Sequence, residues 1–234
     1  MSEDRPSRSR VVVLFDVDDT LLDNDQVTLD LRRYLMQEVG AGRTEQYFEI
    51  FEKLRTELGY ADYLGALQQY RVRHPRDHHL LAVSRFLVNY PFAKRLYPGS
   101  IEAIEHAARF GPTVILSDGD VVFQPRKIDC SGLGEAVEGR VLIYIHKEKE
   151  LDDVEQRHPA DHYVLVDDKV RILTAVKQVW KDRLTTVFPR QGHYAHAADV
   201  ASYPTPDVTI ARVGELVDWD LPALVAAGKS GRNT

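Results

Sequence analysis

The patterned part of the chain begins with an unbroken apolar run in "RVVVLFD", residues 10–16. Polar and apolar positions do not alternate there, which predicts a strand buried on both faces. From residue 25 to 89 the period changes. "VTLDLRRYLMQEVG", "TEQYFEIFEKLRTELG", "YADYLGALQQYRVRH" and "DHHLLAVSRFLVNY" repeat apolar residues at helical spacing, punctuated by Gly40, Gly42, Gly59 and Pro75. Four helices and no strand are predicted.

After "YPFAKRLYPGS" the two periods alternate. A helix over "SIEAIEHAARFG" has Ser100 as its expected N-cap and Gly111 near its end. Then come a strand over 113–117, a helical stretch around "FQPRKIDCSGLGEA", a strand over 140–145 and a short helix near "LDDVEQRH". Strand "HYVLVDD", helix "KVRILTAVKQVWKDR" and strands "LTTVFP" and "DVTIAR" follow. The alternation predicts an α/β fold with a Rossmann-like parallel sheet covered by helices. Its first strand is cut off from the others by an all-helical insertion. The expected division is 1–22 with 93–234 as the core and 23–92 as the insertion.

Composition narrows the picture. The 234 residues, 44% of them hydrophobic, suffice for one substantial domain with an insertion. A net charge of -6 without a basic excess gives no reason to expect nucleic acid as a partner. The polar N-terminus lacks the apolar segment of a secretory signal, and no apolar run reaches membrane-spanning length. The single cysteine, Cys130, has no intramolecular disulfide partner and reads as a structural or surface thiol. Together these features lead us to expect a cytoplasmic location, with "AAGKSGRNT" as a frayed C-terminal tail.

The candidate chemistry lies at strand ends, where open α/β sheets bind ligands. The first strand ends in Asp16, Asp18 and Asp19, followed by Thr20. A second ends in "ILSDGD" with Ser117, and a third in "VLVDDK" with Asp167 and Asp168. Between the last two, "YIHKEKEL" offers Lys147 and Lys149. Hard carboxylate oxygens suit Mg²⁺, which would offset their repulsion and recruit phosphate. Ser117 with the amides of Asp118 and Gly119, and a lysine, could supply donors to that phosphate. Along an extended strand end Asp16 and Asp18 point to the same side. One could attack phosphorus and the other serve as acid and base.

These motifs resemble the haloacid dehalogenase superfamily. "DVDDT" matches its first motif, "ILSDG" its second, a lysine in "HKEKEL" its third and "VLVDDK" its fourth. The resemblance implies a Mg²⁺-dependent phosphatase acting on a small phosphorylated metabolite through an aspartyl-phosphate. Asp16 would be the nucleophile and Asp18 the general acid/base. The metal would be held by the Asp16 side chain, the Asp18 backbone carbonyl, Asp168, and Asp167 directly or through water. Thr20 would hydrogen-bond within the motif loop. The helical insertion corresponds to the superfamily's C1 cap, a lid over the site. The third motif lacks the usual proline; Lys147 is favoured over Lys149 because it follows the strand most closely. Asp118 stands where asparagine is frequent.

The bland readings are specific. Asp19 is expected to act only as a loop or capping residue, and Asp23, Asn24 and Asp25 as caps or turn formers. His74, His78, His79, His193 and His196 lack a complete transition-metal ligand set. Arg190 and His193 are candidate substrate contacts at the rim. Competing functions are C–halogen hydrolysis on the same fold, which needs no second Asp, and a phosphoacceptor signalling module, whose motif order differs.

Overall fold

The structure, a computed structural model, describes residues 8–220. Residues 1–7 and the expected C-terminal tail lie outside the described residues. Six parallel strands form one sheet: β1 (Ser9–Phe15), β2 (Thr113–Asp118), β3 (Val141–Tyr144), β4 (Ala160–Val166), β5 (Leu184–Pro189) and β6 (Val208–Ile210). Their order is β3-β2-β1-β4-β5-β6. The chain therefore winds outwards from β1 in one direction, crosses back, and winds out in the other. The reversal falls between β1 and β4, which pair from Ser9↔Ala160 to Phe15↔Val166. A crevice at the carboxyl ends of these two strands is the expected ligand position for such a sheet.

The central strand shows why its sequence has no polar alternation. Val13 and Phe15 pack into one buried cluster. Val12 and Leu14 pack into another. Successive side chains of a strand point to opposite faces, so covering both faces demands a continuous apolar run. On the second face β4 meets α9 (Val170–Trp180), whose buried Val170, Leu173, Val176 and Trp180 lie three or four apart. The Trp180 ring stacks on Tyr163 with centroids 4.1 Å apart.

Between β1 and β2 the chain forms α1 (Asn24–Glu38), α2 (Ala41–Leu58), α3 (Tyr63–Arg73) and α4 (Leu80–Val88), then a turn of 3₁₀-helix at Phe92–Arg95. The side chain of Asp23 caps α1 by accepting from the Gln26 amide, and Asp62 caps α3 by accepting from Gly65. The helices enclose their own aromatic core of Tyr47, Phe48, Phe51, Tyr63 and Tyr70. Each such burial contributes roughly 1.5–3 kcal/mol. Tyr63 also packs on Phe123 of the sheet-covering layer, with centroids 5.3 Å apart. The chain leaves and re-enters the sheet through a paired neck. Asp23 N–H donates to Arg95 O, and Tyr97 N–H donates to Leu21 O.

The remaining helices are α5 (Ser100–Ala108), α6 (Phe123–Ser131), α7 (Leu133–Ala136) and α8 (Leu151–Arg157). One expectation is corrected. Ser100 is not the N-cap of α5; Gly99 holds that position with φ +85°. The Ser100 hydroxyl instead donates to Leu21 O at 2.8 Å, tying the helix start to the loop after β1. A tertiary acceptor has replaced the local one. Among the described residues no helix is long and apolar enough to cross a membrane.

Candidate active site

The residues after β1 fold into a tight turn that separates the fates of its carboxylates. Asp16 is buried at the strand tip, and its amide donates to Val166 O. Asp19 takes φ +60°, unusual for a side chain other than glycine but tolerated by Asp. That conformation turns its carboxylate back, where Oδ1 accepts from the amides of Asn24 (3.0 Å) and Asp25 (3.1 Å) at the start of α1. Asp19 thus caps the start of α1, and it also lines the cavity, with its Oδ2 3.6 Å from His193 Nδ1. Burial, reinforced by Asp25 and Asp18, pushes its carboxyl up to about 7. Thr20 does more than stabilise its own loop. Its hydroxyl accepts from the Asp168 amide at 3.0 Å, bolting the β1 and β4 tips together.

Of the two candidate lysines, Lys147 is the one beside Asp16. It is fully buried, and its ammonium lies 2.6 Å from Asp16 Oδ1 and 2.7 Å from Asp167 Oδ2. Lys149 is exposed. Burial opposes the Lys147 charge, but Asp16, Asp167 and Asp118 outweigh it and raise its pKa. The Asp118 side chain is engaged within the protein: its Oδ1 accepts the Lys147 amide at 2.7 Å, which fixes the turn carrying that lysine. Ser117 is buried, and its Oγ accepts from Gln124 Nε2 at 3.0 Å.

Gly119 requires a correction. Its amide, expected to face a phosphate, donates to Tyr144 O at 2.9 Å. The β2–β3 register continues one step past Asp118↔Tyr144, so this donor belongs to the sheet. Gly119 serves close packing instead, since a Cβ there would come within 2.6 Å of Gln124 Cβ.

The pair after β4 is left under-satisfied. Asp167 Oδ1 accepts the Lys169 amide at 2.8 Å. Neither carboxylate oxygen of buried Asp168 has a hydrogen-bond donor. Burial raises Asp167 to about 6 and raises Asp168 far above the ordinary carboxylate range, with neighbouring carboxylates adding to both. Carboxylate oxygens from Asp16, Asp167 and Asp168 lie within 4.8 Å of one another. An anionic cluster with orphaned buried oxygens is costly by itself and fits a hard divalent cation.

Above this cluster lies a cavity of about 320 Å³. Asp16, Asp18, Ser117 and Asp118 form its floor side; Thr28, Leu29, Phe51, Arg55, Tyr60 and Ala61 come from the helical insertion. Lys169, His193 and Tyr194 also line it. Burial disfavours the charge of Lys169, yet Asp16 and Asp168 raise its pKa on balance. His193 donates its amide to Asp25 Oδ2 at 2.9 Å, and its Nδ1 pairs with Asp25 Oδ1. Arg190 is exposed and does not line the cavity. The loop holding His193 is anchored by Gln191, whose Nε2 donates to Thr20 O at 3.0 Å. Gly192 has φ +65°, and a Cβ there would come within 2.4 Å of Asp19 Cβ.

Lys127 escaped the sequence reading. It is 1% exposed, and its ammonium sits 2.6 Å from Asp18 Oδ1 and 3.1 Å from Asn24 Oδ1. A signal exists. Phe123, Gln124, Lys127, Ile128 and Ser131 form the buried face of α6, so two long polar side chains interrupt an otherwise inward stripe.

A doubly wound sheet with clustered carboxylates, a buried lysine and a hydroxyl at its carboxyl edge defines a hydrolase of the haloacid dehalogenase type. The family model for haloacid dehalogenase-like hydrolases matches residues 11–168, and the chain belongs to that family. It is 61% identical to a protein of Burkholderia xenovorans LB400 described as a haloacid dehalogenase-like hydrolase. That match has a TM-score of 0.88 and covers 92% of this chain and 99% of the other. The fold is shared with the HAD-hydrolase YfnB of Bacillus subtilis, a structure bound to magnesium (16% identity, TM-score 0.60, 91% and 100% covered). It is shared also with L-2-haloacid dehalogenase from Xanthobacter autotrophicus (18% identity, TM-score 0.58, 95% and 99% covered). No curated protein matches the chain.

Proposed function

We propose that this hydrolase is a Mg²⁺-dependent phosphatase of small phosphorylated metabolites, acting through an aspartyl-phosphate on Asp16. The observation carrying this reading is the buried trio Asp16, Asp167 and Asp168, in which Asp168 lacks any hydrogen-bond donor while Asp18 remains beside the cavity. Asp16, Asp168, the Asp18 backbone carbonyl and Asp167, directly or through water, would hold the ion. Bound Mg²⁺ would offset the carboxylate charge and polarise the phosphoryl oxygens.

Chemistry then falls to the side chains. An Asp16 oxygen attacks phosphorus as the ester P–O bond breaks, and Asp18 gives its proton to the departing oxygen. Asp18 next takes a proton from a water molecule as the water oxygen attacks phosphorus. The bond to Asp16 breaks, releasing phosphate and restoring the carboxylate. Lys147 and the Ser117 hydroxyl would donate to phosphoryl oxygens. The helices of residues 23–92 serve as the cap that covers substrate and excludes water. The cavity suits a small substrate, and a cytoplasmic location accords with the exposed free thiol of Cys130.

The shared fold with a haloacid dehalogenase keeps a second chemistry in the test. Displacement of halide needs no leaving-group acid and no cation, so Asp18 and the orphaned Asp168 favour phosphoryl transfer. The test is hydrolysis of a panel of phosphorylated metabolites and an aryl phosphate with Mg²⁺ or EDTA. We expect turnover with Mg²⁺ alone, lost in Asp16→Asn. Halide release from a 2-haloacid in EDTA, without phosphatase activity, would overturn the proposal.

A further inference from the structure

The mechanism above gives no task to the buried lysine of α6, Lys127. A lysine on the inner face of a helix is costly unless it is paired. Lys127 has two polar partners within hydrogen-bond distance, and they belong to different parts of the molecule. One is Asp18, in the loop after β1. The other is Asn24, the first residue of α1 in the insertion.

The connection continues. Asn24 Oδ1 also accepts from Tyr63 Oη of α3 at 3.2 Å, and that hydroxyl pairs with Thr28 Oγ1 at 2.7 Å. Thr28 lines the cavity. The Lys127 ammonium lies 5.9 Å from the centre of the Tyr63 ring and 5.7 Å from that of Phe123. The stem is therefore enclosed and its head has little freedom. Asp18, in contrast, keeps 17% of its side chain exposed towards the cavity it lines.

We propose that Lys127 is a positioning residue that holds the Asp18 carboxyl group towards the leaving oxygen of the substrate and, through Asn24 and Tyr63, couples that orientation to the seating of the helical insertion. The role rests on the phosphatase reading for its consequence, but the pairing itself does not. A group that positions the acid matters only where leaving-group protonation limits the rate. Its loss is felt with alkyl phosphates, whose leaving groups are strongly basic, and little with dinitrophenyl phosphate.

The experiment compares Lys127→Met, Lys127→Arg, Asp18→Asn and the Lys127→Met/Asp18→Asn double variant on both substrates with Mg²⁺. We expect Lys127→Met to lower kcat/KM for the alkyl phosphate by about 10²-fold and for dinitrophenyl phosphate by less than about fivefold, as for general-acid assistance. Lys127→Arg should recover most of the alkyl-phosphate activity. On the Asp18→Asn background the methionine substitution should add less than about twofold, because the two residues act as one unit. Equal losses on both substrates, or losses that multiply in the double variant, would show a merely structural lysine and overturn the proposal. The Lys127 ¹⁵Nζ resonance provides a check independent of turnover: it should shift in Asp18→Asn, and an unchanged signal removes the pairing. A wild-type protein inactive on every phosphate would sink the phosphatase reading, while this resonance would still decide the pairing.

Discussion

Asp19 and Asp168 are both buried carboxylates at the tips of neighbouring strands, yet their surroundings are opposite. Asp19 receives two backbone amides from the start of α1. Asp168 receives no donor at either oxygen. The first replaces its lost hydration with protein donors, as a helix cap does. The second has no protein donor to replace it. Both are pushed up in pKa by burial, so charge and burial do not distinguish them. The donor inventory does, and it separates a residue satisfied within the loop from one left without a donor.

Asp16→Asn should reduce kcat for an aryl phosphate by about 10³-fold or more while leaving the far-ultraviolet circular dichroism unchanged, as for loss of a nucleophile. Undiminished turnover would detach the chemistry from the strand tip altogether. Next, Asp168→Asn should raise the Mg²⁺ concentration for half-maximal turnover by about 10- to 100-fold, as for a damaged metal site. Asp19→Asn should change that concentration by less than about threefold, because an amide oxygen still accepts at a cap. Equal shifts in the two variants would erase the distinction between them.

A pH series sharpens the same contrast without turnover. Without a bound cation, burial raises Asp167 to about 6 and raises Asp168 well above the ordinary value of 3.8. Each keeps its proton in the folded protein at a pH where the unfolded chain has released it. Their contribution to stability is therefore full below about pH 4 and is lost as pH rises through the folded values. Urea unfolding should show Asp168→Asn gaining on the wild type as pH rises from about 4 to 7. A difference independent of pH would mean that Asp168 is not protonated in the metal-free fold. Smaller still, Asp19→Ala should cost about 1–2 kcal/mol of stability by removing a cap acceptor, measured by the same unfolding. Smallest of all, Lys149→Ala should alter kcat/KM by less than about twofold, as expected of an exposed charge.

Much of this architecture was legible along the chain. The apolar run of β1, the helical period of the insertion and the later alternation identify the parallel sheet because burial on one face or two imposes a period on any sequence. The strand-end positions of Asp16, Asp18, Ser117 and Asp168 were legible for the same reason: a polar residue ending an apolar strand emerges at the sheet edge. Lys147 was less distinct from Lys149, since two residues of loop change which one turns inward. Gly119 was misjudged because its amide follows the β3 register, a property of a strand more than twenty residues away. Lys127 gives no such strand-end signal, and a lone lysine within a helical pattern is ordinarily solvated; only the packing of α6 against the loop after β1 and against α1 and α3 encloses it.

What the sequence by itself determined is the set of elements and the residues at their ends, since both follow from local period and chain direction. Tertiary structure alone decided which carboxylates share a site and which are already satisfied. It put Asp16 beside Asp167 and Lys147, though 131 residues separate the first from the lysine, and it supplied Asp19 with amides while leaving Asp168 without any. The physical reason is that a hydrogen bond or an ion pair depends on distance in space, and the crossing from β3 back to β4 creates the proximity that no local pattern records.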